Sequence, residues 1–393
     1  MELKTKIQNY AWGKMGSSSK VATLYKNVNN DFNIDENTPY AELWMGTHVN
    51  APSVVKQTGE SLASVISKNP KHLGEKVMKI FNNELPFLFK VLSVNKALSI
   101  QAHPTKKHAE ELHAKYPDIY KDPNHKPELA IALTPFEALC GFRPIGDIRT
   151  FIKDIPELSC IVDGQDICND EEFLRRAFKS VLTCDKQIMV ETIDNILKRF
   201  KGFDCIQREL FMADLVERLH KEFPYDNGIL MVYFLNYLQL KPKEAIFLAA
   251  NDPHAYISGD CIENMACSDN VVRAGLTPKF VDVETLCSML TYKGVNPNEK
   301  IFAAIEEDQF TKLYKPPVID FAVAGVEVPT SIGRYSLLKR DSASILIAIN
   351  GRAKFCGGEI KPGMTLFLPA YYILEIVDIV EDLLMYQAFA NIC

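Results

Sequence analysis

The sequence predicts a mainly β protein with a helical insertion, in which the strands form two related units. Runs such as residues 85–92 are rich in aromatic and branched side chains and are bounded by proline, asparagine and glycine, as is typical of strands. A charged, alanine-containing stretch predicts one helix over 106–115. From about 146 to 238 apolar residues recur at three- and four-residue spacing, which indicates amphipathic helices. After about 240 the strand pattern returns and continues to the end.

Length and composition are consistent with a large globular protein. At about 150 residues per domain, 393 residues correspond to two or three domains. Hydrophobic residues make up 47% and charged residues 24%, which excludes intrinsic disorder or a coiled coil as the main architecture. We expect a discontinuous first domain at 1–145 and 239–300, a helical domain at 146–238 and a C-terminal domain at 301–393.

The charge balance and the apolar runs limit the classes of partner. The formal net charge of −6 gives no basic excess for binding nucleic acid. Residues 1–6 lack the apolar stretch of a signal peptide, and the longest apolar run, near 228–235, is far shorter than the ~20 residues of a membrane span. The 10 cysteines include no CxxC pair, so neither a disulfide framework nor a zinc knuckle is indicated. We expect a cytoplasmic protein with a small-molecule partner.

A short internal repeat supports two related β units. Residues 241–250 and 361–370 both read Lys-Pro, three further residues, and then an apolar strand that ends in small residues. Such a repeat predicts two related barrels or sandwiches. His254 follows the first copy, and its equivalent in the second copy is Leu374. If His254 binds a ligand, the second copy has lost that capacity and has a structural role.

Four side chains of metal-ligand type are candidates for one site. Gln101 and His103 are two residues apart, so they share a face if they lie on a strand. Glu128 follows in a segment held out of helix by prolines, and His254 is the fourth candidate. Such nitrogen and oxygen ligands suit Zn²⁺. Two histidines and a carboxylate would also suit Fe(II), although Gln101 as a fourth ligand argues against it, and spacing alone favours a structural role for the histidines. The metal therefore stays open on the residues alone.

Several longer segments follow one another in the order of a known family. These segments are residues 10–13, 41–48, 85–104, 124–128, 138–144, 251–256 and 268–279. In residues and in order they resemble the type I phosphomannose isomerase family. The helical block and the sequence Met-Ala-Cys-Ser-Asp-Asn at 265–270 resemble its eukaryotic branch most.

The resemblance implies a zinc-dependent aldose–ketose isomerase that interconverts mannose 6-phosphate and fructose 6-phosphate through a cis-enediol and feeds mannose metabolism and GDP-mannose synthesis. It implies two cupin-like, jelly-roll β-barrels plus an α-helical domain, with the first barrel catalytic and the C-terminal one degenerate. It also implies a monomer with one Zn²⁺ per chain. The implied zinc ligands are Gln101, His103, Glu128 and His254.

Roles for other residues follow from the same resemblance. Arg273 is expected to be catalytic, because its fork-shaped charge suits an enediolate or a phosphate. For the proton-transferring base we favour Lys126 and Glu263 acting together, with His125 as a third candidate. Sugar hydroxyls or neighbouring polar groups are assigned to Glu42, His48 and Asp269. The phosphate is assigned to Lys90, Ser99 and Lys279.

Two departures from the family pattern and two rival functions remain. Thr105 stands where Asp or Asn is usual, and Pro123 where Ala is more usual, but neither is an expected zinc ligand. One rival is an iron-dependent cupin oxygenase, and the other is a non-catalytic sugar-binding protein on the same scaffold. The presence of all four expected ligands and of Arg273 argues against the second rival.

Overall fold

The computed structural model describes residues 1–392, so the last residue of the predicted C-terminal domain lies outside it. Residues 1–142 form short strands separated by helices, and the helix predicted over 106–115 is confirmed. The elements are β1 (Glu2–Lys4), β2 (Lys6–Gln8), β3 (Lys14–Met15), α1 (Lys20–Val28), β4 (Pro39–Tyr40), β5 (Glu42–Met45), β6 (Val54–Val55), α2 (Leu62–Lys68), α3 (Glu75–Ile80), β7 (Phe87–Val94), β8 (Ile100–Ala102), α4 (Lys106–Lys115), β9 (Glu128–Ala132) and β10 (Phe136–Phe142).

The predicted run of amphipathic helices follows. The Asn169, Asp185 and Asp204 side chains accept hydrogen bonds from backbone N–H groups in the first turns of three of these helices, which satisfies donors that have no partner within the helix. Apolar side chains such as Phe173 and Ile193 pack into one core with the buried 3-10 segment Asn227–Tyr233. The helices are α5 (Ile145–Asp154), α6 (Pro156–Ser159), α7 (Asp170–Leu182), α8 (Lys186–Phe200), α9 (Cys205–Leu210) and α10 (Ala213–Glu222).

The remainder of the chain is mostly strand, as the sequence predicts. It contains β11 (Leu235–Leu240), β12 (Ala245–Leu248), β13 (His254–Ala266), β14 (Val272–Gly275), α11 (Val283–Met289), β15 (Ile305–Asp308), β16 (Thr311–Tyr314), β17 (Ala322–Val328), β18 (Arg334–Ser336), β19 (Ser344–Phe355), β20 (Gly358–Ile360), β21 (Thr365–Leu368) and β22 (Glu375–Phe389). Among residues 1–392 we find no helix with the length and apolar character needed to cross a bilayer.

Two large antiparallel sheets carry most of the strands. One has the order β15-β16-β17-β22-β19-β21-β1-β6, with β18 on β22 and β20 on β19. The other has the order β11-β10-β13-β7-β5-β2, and β13 also pairs with β8 and β9, which in turn pair with β14 and β12. The fold is therefore mixed and rich in sheet. Neither pairing order closes on itself, so the cupin-like barrels stay a prediction, as do the domain boundaries.

The alternation of side chains along β7 separates the core from a cavity. Phe87, Phe89 and Val91 lie in an apolar cluster shared with the C-terminal sheet. Leu88, Lys90 and Leu92 point to the other face and line a cavity. A lysine inside this strand therefore reaches the cavity rather than the core.

The internal repeat predicted at 241–250 and 361–370 has the same structure in both copies. β12 and β21 occupy equivalent positions, and the turns before them place Lys243 (φ 76°) and Gly363 (φ 90°) in the left-handed region. The turns after them do the same with Asn251 (φ 65°) and Tyr371 (φ 66°). Gly363 tolerates no side chain, since a Cβ there would lie 1.9 Å from the carbonyl oxygen of Leu24.

The two copies differ at the position that follows the second turn. His254 is buried at the start of β13, near other polar groups. Its equivalent, Leu374, is only 2% exposed and belongs to an apolar cluster. The second copy thus has a hydrophobic side chain where the first has a potential ligand.

Candidate metal centre and active site

Three strand ends bring potential metal ligands together. His103 directly follows β8, Glu128 begins β9 and His254 begins β13, and β13 pairs with both of the other strands. One ligand atom from each of these three side chains lies within 4.8 Å of the others. All three residues are buried. Residues distant in sequence thus form one compact cluster.

Hydrogen bonds fix which nitrogen of each histidine is free. His103 Nδ1 lies 2.7 Å from the Asn270 carbonyl oxygen, and His254 Nδ1 lies 2.9 Å from the Asp252 carbonyl oxygen. A carbonyl only accepts, so each Nδ1 carries the hydrogen and each Nε2 presents a lone pair. Both Nε2 atoms are buried without a hydrogen-bond partner. Each also lies 3.4 Å from an oxygen of Glu128.

This arrangement fits a divalent cation. Burial, the largest influence, lowers the pKa of His103 to about 4 and so keeps the ring neutral. Burial opposes ionisation of Glu128, but the positive charge of Lys126 favours it, and the pKa of Glu128 lies well below its usual range. Two lone pairs and a carboxylate facing one another repel unless a positive ion lies between them. The donor set suits zinc.

A cavity of about 260 Å³ lies beside this cluster. Most of the residues predicted for the site line it, and Gln101 also pairs in register with both His254 and Arg273. His48 is not in the described lining, but its Nε2 lies 3.4 Å from Oδ1 of Asp269, which is. The predicted residues in the lining are Glu42, Lys90, Gln101, Lys126, Glu128, Glu263, Asp269 and Arg273.

The other two predicted phosphate contacts lie elsewhere. Among the residues described, the cavity lining does not include Ser99 or Lys279. Lys279 is exposed in the loop after β14. Ser99 directly precedes β8 and is partly buried. Their role in binding phosphate stays a prediction that the cavity does not support.

Lys90 is neutralised by carboxylates within the cavity wall. Its Nζ lies 2.9 Å from Glu263 Oε2 and 3.6 Å from Glu42 Oε2, and Trp44 Nε1 donates a hydrogen bond to Glu42. Burial opposes the charge on Lys90, but the two carboxylates outweigh it and raise its pKa. Burial is the largest influence on Glu263 and raises its pKa. The attraction to Lys90 lowers this pKa, but the neighbouring carboxylates of Glu128 and Glu42 raise it again.

Arg273 is the cation that has no carboxylate partner. No Asp or Glu in residues 1–392 lies within ion-pair distance of its guanidinium. Burial lowers the pKa of Arg273 from its ordinary value, yet guanidinium groups stay protonated in proteins. By contrast, Lys126 Nζ lies 3.3 Å from Glu128 Oε1. An anionic ligand in the cavity would therefore meet Arg273 as an uncompensated charge.

Comparison with known proteins identifies the family. Residues 1–145 match the family described as phosphomannose isomerase type I, catalytic domain, and residues 312–356 match its C-terminal domain. Mannose-6-phosphate isomerase of Bos taurus is 44% identical, over 97% of this chain and 96% of its own length. The Schizosaccharomyces pombe protein of that name is 40% identical over 99% of both chains. The chain belongs to the type I phosphomannose isomerase family.

Solved structures of this family share the whole fold. The apo form of mannose 6-phosphate isomerase from Salmonella typhimurium has a TM-score of 0.85 and 32% identity, and the match covers 100% of this chain and 99% of that one. A structure of mannose 6-phosphate isomerase described as bound with zinc and yttrium gives the same TM-score and coverage. A metal at the His103–Glu128–His254 cluster agrees with that zinc-bound relative.

Several residues of the cavity were not singled out from the sequence. Tyr10 and Trp12 line it and stack with ring centroids 5.9 Å apart, which offers an aromatic surface to a sugar. The hydroxyl of Tyr256 is buried without a hydrogen-bond partner, and burial raises the pKa of Tyr256 well above its usual value. Tyr10, Trp12 and Tyr256 belong to segments that resemble the family, and that resemblance is the feature of the sequence that could have identified them. Trp44 belongs to such a segment as well.

His125, the third candidate base, contacts the C-terminal part of the chain. Its Nε2 lies 3.1 Å from both carboxylate oxygens of Asp320, and it is absent from the described cavity lining. The neighbouring Lys126 lines the cavity. The two neighbouring side chains therefore have different surroundings, and only Lys126 lines the cavity among the residues described.

Proposed function

We propose that this family member interconverts mannose 6-phosphate and fructose 6-phosphate through a cis-enediol, using one Zn²⁺ per chain. The observation that carries the proposal is the convergence of two free Nε2 atoms and a carboxylate beside a cavity with one unpaired guanidinium. The identity to the mannose-6-phosphate isomerases supports the substrate. The proposal includes the role in mannose metabolism and GDP-mannose synthesis, a cytoplasmic location and a monomeric state.

The proposal also covers the architecture and the metal ligands. Residues 1–145 and 239–300 would form the catalytic cupin-like domain, 146–238 the helical domain and 301–393 a degenerate cupin-like domain. His103, Glu128 and His254 would hold the zinc ion, and Gln101, which lies across from His254, would be the fourth ligand. When bound, zinc supplies Lewis-acid polarisation of a sugar oxygen.

The proton transfer is assigned to Lys126 and Glu263. Isomerisation removes a proton from C2 of the aldose and returns it to C1, while a second proton passes from the C2 hydroxyl to the C1 oxygen. A base works best when its pKa lies near the working pH. The raised pKa of Glu263 moves that carboxylate in this direction. Lys126 Nζ lies on the same cavity, next to Glu128, where it can hold a proton for the sugar oxygens.

Arg273 would stabilise the negative charge that develops on the enediolate oxygens. Arg273 already lies on the cavity, and no carboxylate in residues 1–392 neutralises its charge, so this charge is available to stabilise an oxyanion as it develops. Glu42 and Asp269 line the same cavity and would accept hydrogen bonds from sugar hydroxyls, with His48 supporting Asp269. Lys90, already paired with two carboxylates, is less suited to the phosphate than Arg273.

A coupled isomerase assay on zinc-loaded and chelator-treated full-length chain tests this proposal. We expect activity to disappear with the chelator and to return with zinc. Arg273→Lys keeps the charge but loses the fork, and we expect it to lower kcat about 10²–10³-fold. Arg334→Lys makes the same change at an exposed arginine on β18, outside the cavity lining, and as the matched control it should leave kcat unchanged.

Two outcomes would replace the proposal with its rivals. Stoichiometric iron in protein purified without chelator, together with oxygen uptake, would identify an oxygenase. Binding of mannose 6-phosphate by zinc-loaded protein, without formation of fructose 6-phosphate, would identify a sugar-binding protein.

A further inference from the structure

Asp122, which precedes β9, gathers several donors from two parts of the chain. Its Oδ1 accepts hydrogen bonds from the Asn124 N–H at 2.9 Å and the Ser268 hydroxyl at 2.8 Å. Its Oδ2 accepts from the Asp269 N–H at 2.8 Å. Its carbonyl oxygen accepts from Asn270 Nδ2 at 2.6 Å. Asp122 therefore ties the loop before β9 to the segment between β13 and β14.

The bonds around Asp122 hold Asn270 in one position. Asn270 Nδ2 also donates to the Asn124 carbonyl at 2.9 Å, and the Asn270 N–H donates to Ser268 Oγ at 3.2 Å. Asn270 is 1% exposed. Its carbonyl oxygen is the acceptor for His103 Nδ1. The position of this carbonyl depends on the same network that Asp122 organises.

The Asn270 carbonyl matters because it selects the tautomer of His103. With the hydrogen on Nδ1, the Nε2 lone pair faces Glu128 and can bind a cation. If the carbonyl moved away, the hydrogen could sit on Nε2 and the ring could no longer bind the ion. Partners of this kind also orient the ring and raise its basicity.

Asp122 itself touches neither the metal cluster nor the catalytic cavity. It lines a second groove of about 700 Å³, which shares Ser268 and Asp269 with the lining of the catalytic cavity. No Lys, Arg or His in residues 1–392 forms an ion pair with its carboxylate. Its negative charge is met by hydrogen-bond donors alone, and two of these donors, Ser268 and Asp269, belong to the segment that carries Asn270.

We propose that Asp122 is a positioning residue for the metal site: its carboxylate fixes residues 268–270 so that the Asn270 carbonyl holds His103 in the metal-binding tautomer. The inference rests on the proposed metal site. It assigns to Asp122 an effect on metal affinity that does not depend on contact with substrate. The same segment leads into β14, so its order also affects where Arg273 lies.

The test is zinc affinity of the full-length Asp122→Asn variant, measured by competition with a chromophoric chelator. The amide keeps the shape of the carboxylate, but its NH₂ group cannot accept, so one set of donors loses its acceptor. We expect zinc affinity to fall about 10- to 100-fold. We also expect a changed visible spectrum of the Co²⁺-substituted protein, because the ligand geometry around the ion is altered. Glu84→Gln, an exposed carboxylate in the same groove, should change neither readout.

The remaining outcomes decide the inference. An Asp122→Asn variant that melts earlier without metal, yet has native zinc affinity and a native Co²⁺ spectrum, would show a purely structural role and overturn the proposal. Should Asp122→Asn fail to fold, Ser268→Ala removes one donor and should lower zinc affinity several-fold. Native affinity in Ser268→Ala would then overturn the proposal. Failure of the native chain to bind zinc would instead refute the metal site itself.

Discussion

Replacing Lys90 with methionine tests whether this lysine neutralises the cavity wall or binds phosphate. The substitution keeps most of the apolar stem but removes the charge that lies 2.9 Å from Glu263 and 3.6 Å from Glu42. Two buried carboxylates would then face each other without a cation. The structure therefore predicts a loss of stability, whereas a phosphate contact predicts a loss of substrate binding.

The size of the loss follows from the distances. With an effective dielectric constant of about 20, each attraction is about 5–6 kcal/mol before the cost of burying the charges. Most of this attraction only compensates for the cost of removing the charged groups from water. We therefore expect Lys90→Met to lower the free energy of unfolding by about 3–5 kcal/mol at neutral pH. Lys279→Met, on the surface, should change it by less than about 0.5 kcal/mol.

The pH dependence gives a second readout. Burial already raises the pKa of Glu263, and loss of Lys90 raises it further. A carboxyl with a raised folded-state pKa contributes stability below its unfolded pKa, and that contribution is lost as the pH rises through the folded value. The deficit of Lys90→Met should therefore be larger at pH 8 than at pH 5. Denaturant unfolding of metal-free native and variant chains at both pH values measures it.

One result would refute this reasoning. If Lys90→Met unfolds like the native chain at both pH values, while KM for mannose 6-phosphate rises and kcat is unchanged, Lys90 binds the phosphate and is not neutralised by the carboxylates.

Three further predictions concern the metal site and its surroundings. His254→Ala should lose metal and activity, whereas Leu374→Ala should keep its metal and lower the free energy of unfolding by about 2–5 kcal/mol. Elemental analysis measures the metal content of both variants. Equal metal loss in both would contradict a metal-binding role for the first copy and a structural role for the second. Gly141→Ala should lower the free energy of unfolding in denaturant by about 1–2 kcal/mol or more, because Gly141 has φ 65° and a Cβ would lie 2.4 Å from Lys300 Cε. Native stability would contradict a left-handed backbone at this position. Free zinc at about 1,000 times its Kd should raise the free energy of unfolding by about 4 kcal/mol. The melting temperature should then be higher with zinc than with chelator, and an unchanged melting temperature would argue against a zinc site in the folded chain.

Much of the fold was predictable because local patterns report local structure. The helix over 106–115 was predicted from its charged and alanine residues, and the helices after 145 from the spacing of apolar residues. The repeat was visible because Lys-Pro turns and short apolar strands have a recognisable composition, and the left-handed turn positions confirm it. The pairing of β1 and β6 with strands of the C-terminal sheet was not visible, since strand partners distant in sequence leave no local pattern.

Residue types and the order of the site segments were enough to recognise the family and, through that resemblance, to name four zinc ligands, three of which the structure clusters. The folded structure alone shows which charges are neutralised: Lys90 lies near two carboxylates, while Arg273 has no such partner among residues 1–392. It also decided that Asn270 and Asp252 present their carbonyl oxygens to the two histidines. The physical reason is that electrostatic pairing and tautomer choice depend on distances of a few ångströms between segments, which strand register and loop geometry set and residue order alone does not.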